Sequence, residues 1–312
     1  MMKSIQKTLI AASVGAVLAA GSMAAQAADN VLFPYITTKA GAYTFISLQN
    51  NGAALATTDK PYHFYYMTKP IGSANSAGCN HFDAIGTTTA NDLGQFEIRK
   101  RVDLKAQFGD TTTTPIYHQQ DNHEGFLIVS NDTPVANLNF HGEAVVVDSS
   151  SGLFYAYSSS GLVAAPNAGD PNYSDAAITD ATATKVSTWY PDSAVTTRWY
   201  IVPTGLRSGM ADVAGGGLTA TLTANTAGIT GGGAYDNNET PFSGTSTPAV
   251  TCFGFVTRSQ YLQPGTAAAT ANGGWMNSSR TGGTSSGFLQ YKIQNTTALG
   301  AQVTTISRDT AL

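Results

Sequence analysis

The stretch Pro248-Ala-Val-Thr-Cys252-Phe-Gly-Phe-Val256 carries one of only two cysteines in a chain of 312 residues. From Thr251 to Val256 it alternates, with Phe253 and Phe255 on one face and Cys252, Gly254 and Val256 on the other, which is the period of a β-strand. The second cysteine is Cys79, in Asn75-Ser-Ala-Gly-Cys79-Asn-His-Phe-Asp83. In an exported chain, two cysteines so far apart read as a single disulfide. That bond would close a loop of more than 170 residues and make neighbours of the early and late thirds of the chain. Chain entropy alone sets its stabilisation at about 5 kcal/mol.

The first 27 residues read as an export signal. Met1 to Lys7 carries Lys3 and Lys7, Thr8 to Ala20 is apolar, and Ala25-Gln-Ala27 offers the small residues of a cleavage site. The apolar run is too short to span a bilayer, and no later stretch reaches 18 continuous apolar residues. Removing 1–27 takes two lysines and no acid, leaving 14 basic against 20 acidic residues, a net of −6. An acidic surface argues against nucleic acid as a partner, because phosphate binding needs clustered Lys and Arg. Charged residues make up 12% of the chain, about half the usual share. Gly, Ala, Ser, Thr and Asn take their place, as suits strands joined by small-residue loops.

Working outward from the cysteines, strand patterns recur throughout. Val31 to Ile36 contains Pro34, which lacks an N–H and so predicts a sheet edge or the beginning of a strand. Ala42 to Leu48 follows, then a turn at Asn50-Asn-Gly52. Tyr62-His-Phe-Tyr-Tyr-Met67 has bulky groups at every position, the pattern of a strand covered on both faces. Phe96 to Leu104 alternates, predicting a strand with Glu97, Arg99, Arg101 and Asp103 on a solvated face. Gly125 to Ser130, the turn Asn131-Asp-Thr-Pro134 and Val135 to Phe140 predict a hairpin-like unit. His141 to Val147, Leu153 to Tyr157, Thr196 to Val202, Leu218 to Thr223, Leu289 to Ile293 and Ala301 to Ser307 continue the pattern. Ser158 to Ala183 has no periodicity, so a lobe boundary is placed in the loop 158–188. No segment after the signal has a helical period. The expected fold is all-β: an antiparallel β-sandwich of Ig-like or jelly-roll type over 28–312, as one large domain or two packed lobes joined by the disulfide.

Five groups of residues are candidates for chemistry. His118, Asp121, His123 and Glu124 put two imidazoles and two carboxylates within seven residues, the donors zinc takes, with His141 and Glu143 able to approach from a neighbouring strand. Asp236 and Glu239, after a triple glycine, could offer oxygens to calcium, although the acid spacing of an EF-type loop is missing. Trp189, Tyr190, Trp199 and Tyr200, like Tyr62, Phe64, Tyr65 and Tyr66, could form a ligand platform, but core packing is the commoner use of strand aromatics. Gly283-Thr-Ser285-Ser-Gly287 matches a nucleophile elbow, yet the strand-to-helix turn that motif needs is absent. Gly215-Gly-Gly217 matches a dinucleotide glycine pattern just as loosely, with a strand after it in place of a helix.

Leu32-Phe-Pro-Tyr35, Tyr43 to Asn51, Gly142-Glu-Ala144, Cys252-Phe-Gly254 and Gly273-Gly-Trp275 together resemble a loose family of uncharacterised secreted proteins from Gram-negative environmental bacteria. The resemblance covers most of the chain after the signal. It implies export, one disulfide and a β-fold, and it carries over no activity.

The residues therefore lead to a non-enzymatic structural or adhesion protein of the cell surface or periplasm. Its partners would be itself, other cell-surface proteins or glycans, and one version lends the segment 28–48 as a donor strand to a neighbouring subunit. The alternative is a glycan- or metal-binding β-sandwich module, with zinc or calcium as the ion and no other cofactor. An outer-membrane β-barrel ranks below both, because several strands are apolar on both faces and the chain ends Asp309-Thr-Ala-Leu312 rather than on an aromatic.

Overall fold

A strand as bulky on both faces as Tyr62 to Met67 needs cover on both sides, and the architecture supplies it. The computed structural model describes residues 30–51, 60–88, 92–102, 104, 117–131, 140–149, 153–162, 184–205, 217–296 and 303–309. The signal reading of 1–27, the turn 132–134 and most of the loop 158–183 lie outside these residues. The first half contains β1 (Asn30–Thr37), β2 (Ala42–Asn50), β3 (Lys60–Pro70), β4 (Asn80–Thr88), β5 (Asp92–Glu97), β6 (His123–Asn131), β7 (Phe140–Asp148), β8 (Leu153–Ser158) and β9 (Ser160–Leu162). The second half contains β10 (Lys185–Trp189), β11 (Thr196–Thr204), β12 (Thr219–Ala224), β13 (Gly233–Asp236), β14 (Pro241–Ser243), β15 (Ala249–Thr251) and β16 (Gly254–Thr257). After two short helices, α1 (Arg258–Tyr261) and α2 (Pro264–Ala269), come β17 (Gly274–Gly283), β18 (Gly287–Thr296) and β19 (Val303–Arg308).

The strands form open antiparallel sheets, stacked in layers. In the first half, an outer sheet of order β5-β2-β7-β8 faces an inner sheet of order β4-β3-β6-β1-β9. In the second half, an inner sheet β16-β11-β18-β19 faces an outer sheet β14-β13-β17-β12-β15, with β10 added along β17. Among the described residues none of these sheets closes on itself. One apolar core runs from the outer sheet of the first half to the inner sheet of the second, through residues such as Phe64, Phe126, Tyr200, Leu289 and Tyr291. A second core, around Trp199, Ile201, Leu222, Met276 and Phe288, fills the space between the two sheets of the second half. The fold is thus all-β and antiparallel, two sandwiches packed on each other.

Register shows how the faces divide. Phe33, Leu127 and Tyr66 are cross-strand partners and share one face of the first inner sheet. A Cβ at Gly142 of the outer sheet would lie 2.2 Å from the Phe33 ring, so that ring fills the place a side chain would take. Leu32, Ile128 and Tyr65 share the opposite face, toward the second half. On β11, Trp199 and Ile201 belong to the second core and Tyr200 and Val202 to the first.

The disulfide joins Cys79 to Cys252, whose Cα atoms are 6.0 Å apart across 173 residues of sequence. It is one part of a larger joint. The Lys69 ammonium donates to the carbonyls of Phe253 at 2.7 Å, Ala74 at 3.1 Å and Ala77 at 3.3 Å. The Asn75 amide donates to the Phe255 carbonyl at 2.7 Å, and the Thr251 N–H donates to the Asn75 carbonyl at 2.8 Å.

Several expectations are corrected. Strand β1 is interior, paired to β6 and β9, and every residue in it is buried. Pro34 is tolerated because β9 reaches only Asn30 to Leu32 and the register slips between Phe33 and Ile36. Within its own chain β1 is thus paired along β6 and, from Asn30 to Leu32, with β9. The second arm of the hairpin-like unit expected over Gly125 to Phe140 lies, up to residue 139, outside the described residues; Phe140 itself opens β7, which belongs to a different sheet from β6. The strand expected over Phe96 to Leu104 ends at Glu97, where the chain turns and Lys100 takes a φ of 57°. Glu97 is not on a solvated face. Its buried carboxylate accepts the N–H groups of Arg99 and Arg101, at 3.1 and 2.8 Å, and pairs with the Arg101 guanidinium at 2.9 Å. Helix α1 escaped notice because it is one turn long, capped by Thr257 with Gln260, and α2 opens on Pro264, a residue suited to a first turn.

A charged cleft between the lobes as candidate functional site

Where the apolar contact between the two inner sheets ends, charged side chains begin. Lys69, Glu124 and Thr37 are cross-strand partners on β3, β6 and β1 and share the face turned to the second half. Opposite them, Arg198 on β11 lies two residues before Tyr200, on the same face. The register slip in β1 brings Tyr35 edge-on to Tyr200 at 5.1 Å and to Phe255 at 6.0 Å between ring centres. Between these walls opens a cleft of about 670 Å³, bordered by Tyr35, Glu124, Arg198 and Phe255. The loop from Ile71 to Asn75 closes one side, and Lys39, Asp148 and Gln260 complete the rim.

The charges in this cleft are held in different ways. Lys39 is paired with Asp148 at 2.7 Å. Arg198 lays its guanidinium over the Phe255 ring, 4.4 Å from the centroid, in a cation–π contact. Its Nε–H is buried with no hydrogen-bond partner among the described residues. A buried donor left in that state costs about 1–3 kcal/mol. Burial pushes the Glu124 carboxyl above its ordinary value, while Arg198, Lys69, the Tyr35 hydroxyl and Lys39 pull it back. Burial lowers Lys69 to about 8, with Glu124 acting in the opposite sense. Burial also raises the Tyr35 phenol. The cleft therefore brings together a guanidinium stacked on Phe255, a carboxyl whose charged form burial disfavours, and an aromatic wall.

The residues expected to hold zinc are dispersed. His118 is buried, its Nε2 is 3.0 Å from Thr68 Oγ1 and its Nδ1 is 3.0 Å from the Gln120 carbonyl, so both ring nitrogens have protein partners. Burial lowers His118 to about 4, so the ring is neutral at ordinary pH. The rings of His118 and His123 do approach, at 5.8 Å, but Asp121 turns outward to Arg99 at 3.0 Å. Glu124, adjacent to His123 on a strand, points to the opposite face and into the cleft. Among the described residues no group of three or more His, Cys, Asp or Glu is placed to hold a metal ion.

The expected calcium pair is a hairpin turn. Asp236 Oδ1 accepts the N–H groups of Asn238 and Thr240, each at 2.8 Å, while Glu239 is exposed with a φ of 62°. The expected aromatic platform is core packing. Trp199 is fully buried beneath Tyr261, Trp189 donates from Nε1 to the Thr270 carbonyl at 2.8 Å, and the Tyr200 hydroxyl donates to the Gly125 carbonyl at 3.1 Å. Only Tyr190 of the four faces solvent, at 61% exposure. Ser285 lies in the turn joining β17 to β18, with its side chain buried and no helix behind it.

Arg198 is the residue the sequence reading passed over. The signal was present: on a strand with apolar groups on both faces, a guanidinium two residues from a buried Tyr has to emerge at the rim of that core. No protein-family model matches the chain, and neither does any curated protein. The reading of the cleft thus rests on its geometry.

Proposed function

We propose that the protein is a non-enzymatic, exported adhesion module of the cell surface or periplasm, and that it binds a glycan in the cleft between its two sandwiches. The observation that carries this reading is Arg198, a guanidinium with an unpartnered N–H bordering a cleft that Glu124 also lines. A sugar hydroxyl both donates and accepts, so neighbouring hydroxyls on one ring can satisfy a guanidinium and a carboxyl together. Phe255 and Ile71 give the apolar side of such a ring a wall to lie against. Open clefts with a few convergent polar groups on an apolar wall are the usual form of a small-ligand site.

The joint beside the cleft favours binding over motion. Cys79–Cys252, Lys69 and Asn75 hold the loop 70–79 against the start of β16, so the walls are fixed before a ligand arrives and little ordering is lost on binding. The disulfide agrees with an oxidising compartment. The lysine-flanked apolar segment in 1–27 and the resemblance to secreted proteins also support export.

The test is titration calorimetry of the mature chain against a panel of soluble oligosaccharides, repeated with Arg198→Met. The reading expects at least one class of sugar to bind at a single site and to bind at least about tenfold more weakly to the variant. A panel without a binder, or a variant that binds as the parent does, refutes it.

A further inference from the structure

The cations around the cleft are not equivalent. Lys39 is neutralised by Asp148 at 2.7 Å. Lys69 spends its three donors on the carbonyls of Phe253, Ala74 and Ala77. Arg198 has its planar face covered by Phe255, while its Nε–H stays without a partner among the described residues. A guanidinium engaged through its face still has its edge to offer, and that edge is a fork of parallel donors matched to the two oxygens of a carboxylate.

The acids point the same way. Asp148 is matched to Lys39. Glu124 is the other acid on the wall, and its ionised form is disfavoured by burial. With Lys39 matched to Asp148, Glu124 is one carboxyl facing two cations, Arg198 and Lys69, so positive charge on this wall exceeds negative. A neutral sugar would leave that excess, whereas an anionic one would balance it in a partly dry site where such a bond is strong.

We infer that the cleft selects an acidic sugar, one whose carboxylate sits on the edge of the Arg198 guanidinium while its ring packs beside Phe255. This inference rests on the glycan reading of the cleft and narrows it to one chemical class.

The test uses a short oligogalacturonate and the same oligomer with its carboxyl groups reduced to alcohols, titrated into the full mature chain at pH 6. The expected result is at least about tenfold tighter binding of the acid form. Arg198→Lys, which keeps the charge but not the fork, should retain part of that preference, and Arg198→Met should abolish it in a chain that still folds cooperatively and keeps the disulfide. Glu124→Gln, which removes a like charge, should strengthen binding of the acid form relative to the neutral form at pH 8. Equal binding of both forms to the parent chain, weakened equally by Arg198→Met, would overturn the acidic preference and keep the glycan reading. Failure of both oligomers to bind would overturn the inference, and the wider panel would then decide the glycan reading separately. A fall in acid-form affinity relative to the neutral form in Glu124→Gln would also count against the inference.

Discussion

Lys69 and Phe253 are 184 positions apart in sequence, yet the ammonium of one donates to the carbonyl of the other at 2.7 Å and also lies 4.5 Å from the centre of its ring. This contact adjoins the Cys79–Cys252 bond, and the two fasten the halves of the molecule at one place. A buried lysine is costly unless its charge is met. Here three carbonyls and an aromatic face meet it.

Replacing Lys69 with Met keeps the bulk and removes the donors, leaving carbonyls in the joint without their partner. The expected loss is about 2–4 kcal/mol of stability. Urea unfolding followed by tryptophan fluorescence measures it, since Trp189 and Trp199 are both buried in the second half.

Reduction of the disulfide, or Cys79→Ala with Cys252→Ala, should cost about 2–5 kcal/mol. Scanning calorimetry with and without reductant reports the change. If the joint holds the halves together as described, the reduced protein should also become sensitive to protease in the loop 70–79. An unchanged melting temperature would mean that the remaining contacts hold the halves alone.

Gly142 on β7 faces the Phe33 ring, with 2.2 Å available for an added Cβ. Gly142→Ala therefore has to displace a buried aromatic ring between two sheets, at an expected cost of about 1–3 kcal/mol. Thermal unfolding of the variant checks this, and Gly265→Ala is the control, because an added methyl there meets nothing within 4 Å.

The pH dependence follows from Glu124. Burial raises its folded-state pKa above the unfolded value. The folded state then holds the proton more tightly, so the stability linked to this group is full at low pH and is lost as pH rises through the folded pKa. Asp309 is raised by burial as well and contributes with the same sign. Melting temperatures taken between pH 4 and 8 should fall toward the upper end from these two groups, and Glu124→Gln should remove part of that slope and not all of it.

Much of the fold was legible because it depends on local period and on chemistry at a distance. Alternation over 251–256 and 289–293 marked strands, the bulk at both faces of Tyr62 to Met67 marked an inner layer, and the only two cysteines marked their own pairing. What alternation cannot show is which sheet a strand joins: β6 and β7, close in sequence, belong to different sheets. The cleft was hidden for a related reason. His118 to Glu124 is dense in ligand-type residues, but strand geometry sends His123 and Glu124 to opposite faces and dissolves the apparent cluster. The strongest charged influence on Glu124 is instead Arg198, 74 positions away, brought near by packing between sheets that no local pattern encodes. Glu97 was misjudged because a charged residue in an alternating stretch reads as solvated, whereas its carboxylate closes a buried turn.

The most direct measurement is the NMR signal of the Arg198 Nε–H, assigned by its loss in Arg198→Lys and followed while an acidic oligosaccharide is added. A donor that gains a carboxylate partner should move downfield and saturate at one equivalent of sugar, with the other arginine signals still. An Arg198 signal that stays in place at saturating sugar would contradict the account.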